Sequence, residues 1–437
     1  MEEFRRGGDL LNRPPHEANV AEQTEHSING GGLKFDYFSP NENHRFNVFA
    51  SAQHINRDSY YGPGDRDPLD AYGNTTDLNW MAGSQYVYSF GKCIFMPSDL
   101  TAGIEFNQDK LEDNMWGYNR TVDQKVNIGS AFLQNEWKND HWGFLIGGRL
   151  DKHNLIDHVI FSPRANLRYN PTENINLRFS YSSGFRAPQA FDEDLHVENV
   201  GGNVAMVELA DNLKEERSQS LSASADIYHR FGAFQVNFLV EGFYTKLSDV
   251  FALTDGEVVD GILTRTRHNA SGAQVLGLTL EGKMAYLNKI QVQAGVTLQQ
   301  SHYSKPHIWN KEAPAVKKMM RTPNTYGYFT ATYTPIKPLS IALSGTYTGS
   351  MLVPHEPVPG FLEKPITVNT KDFFDIGLKA AYDFKLYKSM NLQLNAGIQN
   401  IFNAYQDDFD KGADRDSGYI YGPSLPRSFF AGVKISY

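Results

Sequence analysis

The chain has 437 residues, with 41 Lys+Arg against 50 Asp+Glu and a formal net charge of −9, so no general nucleic-acid surface is expected. Charged residues make up only 21%, aromatics reach 13% and there are 37 glycines, a balance that favours strands and turns over helices. Mean hydropathy is −0.46 and no run approaches the ~18 apolar residues of a membrane-spanning helix, whereas a membrane β-barrel, with only alternate residues facing lipid, meets both facts.

The N-terminus, Met1-Glu2-Glu3-Phe4-Arg5-Arg6, carries charge and no apolar core, so it is not a secretory signal. Either the protein is cytosolic or an exported N-terminal part lies outside this chain. From residue 27 onward, strands of period two follow one another. The segment 174–182 sets Ile175, Leu177, Phe179 and Tyr181 against Asn176, Arg178, Ser180 and Ser182. Segment 289–299 sets Ile290, Val292, Val296 and Leu298 against Gln291, Gln293 and Gln299, and 338–348 sets Leu339, Ile341 and Leu343 against Ser340, Ala342 and Ser344. A soluble sandwich would also alternate. Here the polar face carries Gln, Asn, Arg and Lys, which suit a wet interior, and the apolar face turns from aliphatic to aromatic near the strand ends.

Short turns such as Asn139-Asp140, Asn170-Pro171-Thr172-Glu173 and Leu287-Asn288 alternate with long polar loops near 59–78, 108–122, 184–215, 304–323, 352–368 and 404–425. Outer-membrane barrels show this asymmetry, with tight periplasmic turns and long extracellular loops. About 17 strands are expected, near 27–39, 44–58, 79–90, 99–109, 123–138, 141–152, 158–170, 173–183, 216–231, 232–251, 262–286, 289–303, 324–335, 338–351, 369–384, 390–403 and 426–437. The odd count implies that the upward strand before the first is missing, as in a chain that begins inside a barrel. The last strand, Ser428 to Tyr437, alternates up to a terminal aromatic, like the assembly signal of outer-membrane proteins.

Four segments carry a family resemblance. Ser180-Tyr181-Ser182-Ser183-Gly184-Phe185-Arg186-Ala187-Pro188 and Asp211-Asn212-Leu213-Lys214-Glu215-Glu216-Arg217-Ser218 resemble the FRAP box and the NPNLKPE-S segment of TonB-dependent outer-membrane receptors, with Glu215 in place of the proline. His268 to Leu278 resembles the family's N-x-G-x-A-x-V-x-G-x-E strand. Gln399-Asn400-Ile401-Phe402-Asn403 with Tyr421-Gly422-Pro423-Ser424-Leu425-Pro426-Arg427 resembles its closing hairpin. The resemblance implies an all-β, antiparallel transmembrane barrel, residues 1–437 forming the C-terminal part of a barrel of about 22 strands. The plug domain and the first strands would then be absent from the chain. It also implies a Gram-negative outer-membrane location, lipid and lipopolysaccharide contact, a monomeric barrel and coupling to TonB through the plug. The transported ligand is expected to be an iron–siderophore complex, with cobalamin, haem, a passive porin and an adhesin as the alternatives.

Candidate ligand-binding residues are Arg186, His196, Tyr405, Tyr419 and Tyr421. Arg186 is too costly to face lipid, so it turns inward or pairs with a loop carboxylate. His196 lies between the first two boxes, where the resemblance to haem receptors implies an axial ligand to iron. The adjacent Asp192, Glu193 and Asp194 suit haem propionates poorly. Tyrosines, including Tyr60 and Tyr61, offer rigid contact area for a ligand, or else form an interfacial girdle. His302, His307 and His355 read as solvated loop residues. The acids of Asp407 to Asp416 resemble a calcium loop but lack its terminal Glu and glycine position. Cys93, the single cysteine, excludes multi-Cys metal sites and reads as an inert thiol near a turn. No H-E-x-x-H, Gly-x-Ser-x-Gly, P-loop or dinucleotide fingerprint occurs, so neither an enzyme nor a bound cofactor or metal is expected.

Overall fold

Period-two sequence becomes one large antiparallel sheet in the computed structural model, which describes residues 2–7, 12–18, 21–62, 67–191, 195, 198–200, 203–259, 262–387, 389–412, 415–416, 418–423 and 425–437. The chain starts with β1 (Glu2–Gly7), antiparallel to β2 (Ala21–Phe38). There follow β3 (His44–Tyr60), β4 (Tyr72–Cys93), β5 (Met96–Met115), β6 (Arg120–Lys138), β7 (Trp142–His153), β8 (Ile160–Thr172) and β9 (Ile175–Arg186), each paired with the strand before it. The short β10 (Glu198–Val200) and β11 (Asn203–Leu209) intervene before β12 (Glu216–Phe231) pairs with β9. Next come β13 (Phe234–Ser248), β14 (Phe251–Val259), β15 (Ile262–Asn269), β16 (Ala273–Tyr286), β17 (Ile290–His307), β18 (Val316–Lys318) and β19 (Thr325–Ile336). The chain ends with β20 (Leu339–Thr348), β21 (Leu352–His355), β22 (Ile366–Asn369), β23 (Phe373–Tyr387), β24 (Met390–Gln399) and β25 (Ser428–Ser436).

The main sheet holds 19 of these strands; β10, β11, β15 and β14 form a second sheet, and β21–β22 a hairpin. Without the short β1 and β18, 17 long strands remain in the main sheet, the number that alternation predicts. Two expectations are corrected. An upward strand does precede the first predicted one: β1 pairs from Glu2↔His26 to Gly7↔Ala21. The single strand expected over 262–286 is two, because the chain leaves the second sheet after Asn269 and enters the main sheet at Ala273. Gly272 makes this crossing possible, since a Cβ there would collide with the Leu247 carbonyl.

Register carries one apolar face across the sheet. Leu343 pairs with Ala331, which pairs with Val292, while Leu298 pairs with Leu278. Leu343 continues through Leu378 and Ile398 to Phe429. Leu339, Ile341 and Leu343 therefore share the face of Val296 and Leu298, and Gln291, Gln293 and Gln299 lie on the opposite one. Apolar side chains on the first face stay exposed to the surroundings, with Ile104 and Ile146 each at 63% and Phe429 at 73%, as lipid contact demands. Aromatics bound this band. Trp142 stacks on Tyr169 at 4.2 Å near the short turns; Trp80 meets Phe106 at 5.2 Å on the other side and donates its indole N–H to Gln108 at 3.2 Å. Beyond Trp80 the same face turns polar, with Lys110 and Glu112 on β5.

β4 has 22 residues and β5 has 20, against the ~10 that cross a bilayer, so their remaining lengths stand clear of lipid at the long-loop end. The buried apolar clusters lie there too. One joins Tyr60, Tyr61, Ala71, Met115 and Tyr118; another joins Ile156, Ile160 and Ala187 with Phe185; a third joins Met351, Val353 and Tyr419.

Candidate functional site

The family-like segments act first as clamps on the long-loop end. β9 stops at Arg186, whose position puts it on the inner face, while Phe185 packs outward against the Ile156–Ile160–Ala187 cluster. The Arg186 guanidinium lies 3.9 Å from the Phe191 ring centre and 5.6 Å from that of Phe251. Arg267 approaches the same two rings at 5.8 and 5.9 Å, so two cations and two phenyl rings stack at the inner mouth. Asn269 receives the Lys214 N–H and donates to the carbonyls of Lys214 and Asp249, tying three connections together. Glu215 accepts from Arg217 at 2.7 Å and meets His158 at 3.0 Å. Burial pushes its carboxyl up, but these bonds outweigh burial and hold it below the usual range.

Loop 400–427 is built the same way. Asn400 and Asn403 adopt left-handed backbone at φ 49° and 54°, a conformation asparagine tolerates better than most residues. The Asn400 side chain accepts from Ala404 N–H and donates to the Ala404 and Leu425 carbonyls. Gln406, buried, donates to the Tyr419 carbonyl at 3.0 Å and accepts from the Tyr421 N–H at 2.8 Å. Both phenols then reach one carboxylate: Tyr419 Oη donates to Asp408 Oδ2 at 3.2 Å and Tyr421 Oη to Asp408 Oδ1 at 2.6 Å. Burial first, then the adjacent Asp408 charge, pushes the Tyr419 phenol up to about 12 and the Tyr421 phenol higher still.

Tyr419 also stacks flat on His355, with ring centres 3.8 Å apart. His355, expected in solvent, is buried, and its Nε2 lies 2.9 Å from Asp410 Oδ2. Asp410 accepts the Asp416 N–H as well, and Asp416 accepts the Glu356 N–H at 2.8 Å. Glu356 takes Asn310 Nδ2 at 2.9 Å and faces Arg265 at 3.6 Å; burial, more than its acidic neighbours, pushes its carboxyl up. Of the acids that resemble a calcium loop, Asp408, Asp410 and Asp416 are thus occupied by phenols, an imidazole and backbone N–H groups, and Asp407 by the Lys371 ammonium. Among the described residues, no three His, Cys, Asp or Glu side chains are arranged to hold a metal ion.

The sequence candidates therefore separate. Tyr419 and Tyr421 come together on Asp408, Tyr405 sits 41% exposed in the same loop, and Arg186 lies at the mouth among phenyl rings. His196 and its neighbours Asp192, Glu193 and Asp194 lie outside the described residues. Sequence reasoning missed Asp408, Asp410, His355, Phe191, Phe251 and Arg267. Only the run of alternate acids flagged the first two, and nothing local ties Arg267 on β15 to Arg186 on β9. Cys93 is half-buried at the end of β4, where its carbonyl accepts the Trp137 indole N–H.

The model of a family described as TonB dependent receptor-like, beta-barrel, matches residues 5–401. Among solved structures, the siderophore receptor PirA from Acinetobacter baumannii is 15% identical with a TM-score of 0.67 over 95% of this chain and 62% of that one. The ferric-catecholate import receptor Fiu from K12 E. coli is 13% identical with a TM-score of 0.68, over 95% and 64%. The FrpB iron transporter from Neisseria meningitidis is 15% identical with a TM-score of 0.66, over 97% and 64%. The chain thus spans less than two thirds of the solved receptors it resembles. A search of curated proteins finds no match.

Proposed function

The chain belongs to the TonB-dependent receptor-like β-barrel family and is a Gram-negative outer-membrane barrel of the transport-receptor kind, not an enzyme; from that premise we propose that it supplies the barrel wall and extracellular loops of a receptor for a ferric siderophore. The observation that carries the reading is the mouth itself, where Arg186 and Arg267 share the Phe191 ring and Arg265, two residues before Arg267, reaches the tyrosine-rich loop through Glu356 and Asp416. Ferric siderophore complexes of the catecholate class are anionic and aromatic, and such a mouth offers cations and flat apolar faces to both properties. The names of the matched solved proteins, a siderophore receptor, a ferric-catecholate importer and an iron transporter, support an iron-bearing ligand.

In this reading Tyr405 and the Arg186 stack meet the ligand, while Asp408 holds Tyr419 and Tyr421 in place behind them. His196 as a haem ligand is the weaker assignment, because three acids precede it. In this reading TonB acts through the plug domain of the family. The test uses cells whose only receptor is the gene product carrying this chain. Iron-limited growth and ⁵⁵Fe uptake are measured with ferric catecholates, ferric hydroxamates, haem and, in a cobalamin-requiring strain, cobalamin. Rescue by a ferric siderophore that disappears without TonB is expected. Rescue by haem or cobalamin alone, or uptake that persists without TonB, would overturn the proposal.

A further inference from the structure

The inner face of β8–β9 carries a series of arginines, Arg164, Arg168 and Arg178, that, among the described residues, have no carboxylate partner. On β9, Leu177 and Phe179 point to lipid and are exposed there, so Arg178 between them points inward. Its register partner on β8 is Arg168, a like-charged pair directly across one ladder. Such a pair is unfavourable unless something else neutralises it. Their hydrogen bonds go to neutral groups: Arg168 to the carbonyls of Asn139 and Trp142, Arg178 to the Asn176 side chain at 2.8 Å. Arg168 lies across β7, where Gly143 leaves room for it. Asp226, which pairs with Asn176, is the carboxylate closest in register to Arg178, and its oxygens accept from Tyr228 and Asn237.

Higher on the same face, Arg164 is exposed, pairs with Ser182, and lines a hollow of about 500 Å³ in the inner wall. Among the described residues, Arg164, Arg168 and Arg178 form no ion pair, whereas the nearby Arg149 is held by Glu105 and Asp151. Arg186 closes the series at the mouth, eight positions above Arg178 on one strand. Guanidiniums thus descend one wall from the loops towards the short turns, with Ser, Asn and Gly between them.

We propose that this strip is a cationic track that receives an anionic ligand from the mouth and holds it along the wall during passage. The chemical class is a multiply charged carboxylate or phenolate complex, and the inference rests on the siderophore reading above. Inward arginines are what an anion path needs, since each offers a fixed charge and several N–H donors to a partly hydrated anion. A track acts after capture, so it affects transfer and leaves equilibrium binding at the loops unchanged.

The experiment uses the gene product in cells, with a ⁵⁵Fe catecholate complex as probe. Equilibrium binding to de-energised cells reads the loops; the initial rate in energised cells reads the wall. Combined Arg164→Gln, Arg168→Gln and Arg178→Gln is expected to keep binding within about twofold and lower the initial rate about tenfold. The three Lys substitutions should restore most of the rate. Arg164→Gln alone is the companion variant, because that side chain supports no other group and its loss cannot unfold the wall; a fall of about threefold is expected. An unchanged rate in the folded Gln variants overturns the track. So does a loss that Lys fails to restore, which would mark these arginines as a seat for a protein surface. If no catecholate binds even the unaltered protein, the siderophore reading fails separately. The track is then tested on purified protein in planar bilayers, where a KCl gradient should give an anion-selective reversal potential that the triple Gln variant abolishes; equal potentials overturn it.

Discussion

The lipid band and the extracellular loop layer of this barrel are held together by opposite means. In the band, Leu278, Val296 and Leu298 remain exposed to the bilayer and almost nothing apolar is buried, so order comes from ladder hydrogen bonds and from the solvent being lipid. In the loops, the apolar clusters are truly buried, and Asp408, Gln406, Asn269 and Asn400 each satisfy two or more groups from distant segments. The difference teaches where function can be tuned. A polar change in the band meets hydrocarbon, whereas a change in the loops alters one clamp and leaves the barrel standing.

That contrast can be broken by measurement. The largest effect is expected from Val296→Arg, which puts a charge on the lipid face and should destabilise insertion by about 2–4 kcal/mol, while Ser344→Arg on the inner face stays within about 0.5 kcal/mol. Denaturant titration in lipid vesicles reads both, and equal losses would refute the facial assignment. Next comes Gly103→Val. The far edge of the Phe132 ring lies over Gly103 on the inner face, so a side chain there must displace it, at a cost of about 1–3 kcal/mol. Adding Phe132→Ala should recover part of that loss; no recovery would mean the ring is not the obstacle.

Asp408→Ala leaves the buried Tyr419 phenol and the half-buried Tyr421 phenol without their acceptor, a local cost of about 1–3 kcal/mol. Protease nicking within 404–425 should accelerate while the melting temperature of the barrel stays unchanged. A fall in melting temperature would show that the two layers are coupled. The smallest effect concerns Glu356. Its folded carboxyl is raised above its unfolded value, so it favours the folded loops at low pH, and that contribution is lost as pH rises through the raised value. Hydrogen exchange in the β21–β22 hairpin should therefore be slower, after correction for intrinsic rates, near pH 4 than near pH 7. Glu356→Gln should flatten the difference; a hairpin that loosens on acidification would reverse the assigned sign.

Most of the band was legible because one physical rule governs it. Where one strand face meets lipid and the other water, every second residue must be apolar, and Ile175 to Tyr181 or Ile290 to Leu298 state this directly. Legibility ended where lipid ended. The upper half of β4, from Tyr72 to Leu78, reads as loop in sequence because its buried positions there are Gly73 and Thr75, packed against Met115 and Asp113, so no apolar residue marks the inner face. The second sheet was hidden for a related reason: β11 pairs with β15 in parallel across more than fifty residues, a contact that no local pattern announces. Tyr405, Tyr419 and Tyr421 look alike in sequence. Only the fold shows that one is exposed while the other two share a carboxylate.

The sequence by itself determined the sheet, its facing and its alternation of short turns with long loops, since these follow from partitioning each residue between lipid and water. Tertiary structure alone decided which acids are spent on phenols and His355, which arginines meet phenyl rings and which stand without carboxylates on the inner wall. Those outcomes depend on the separation of side chains from different strands and loops, and charge–charge and hydrogen-bond energies fall off within a few ångströms.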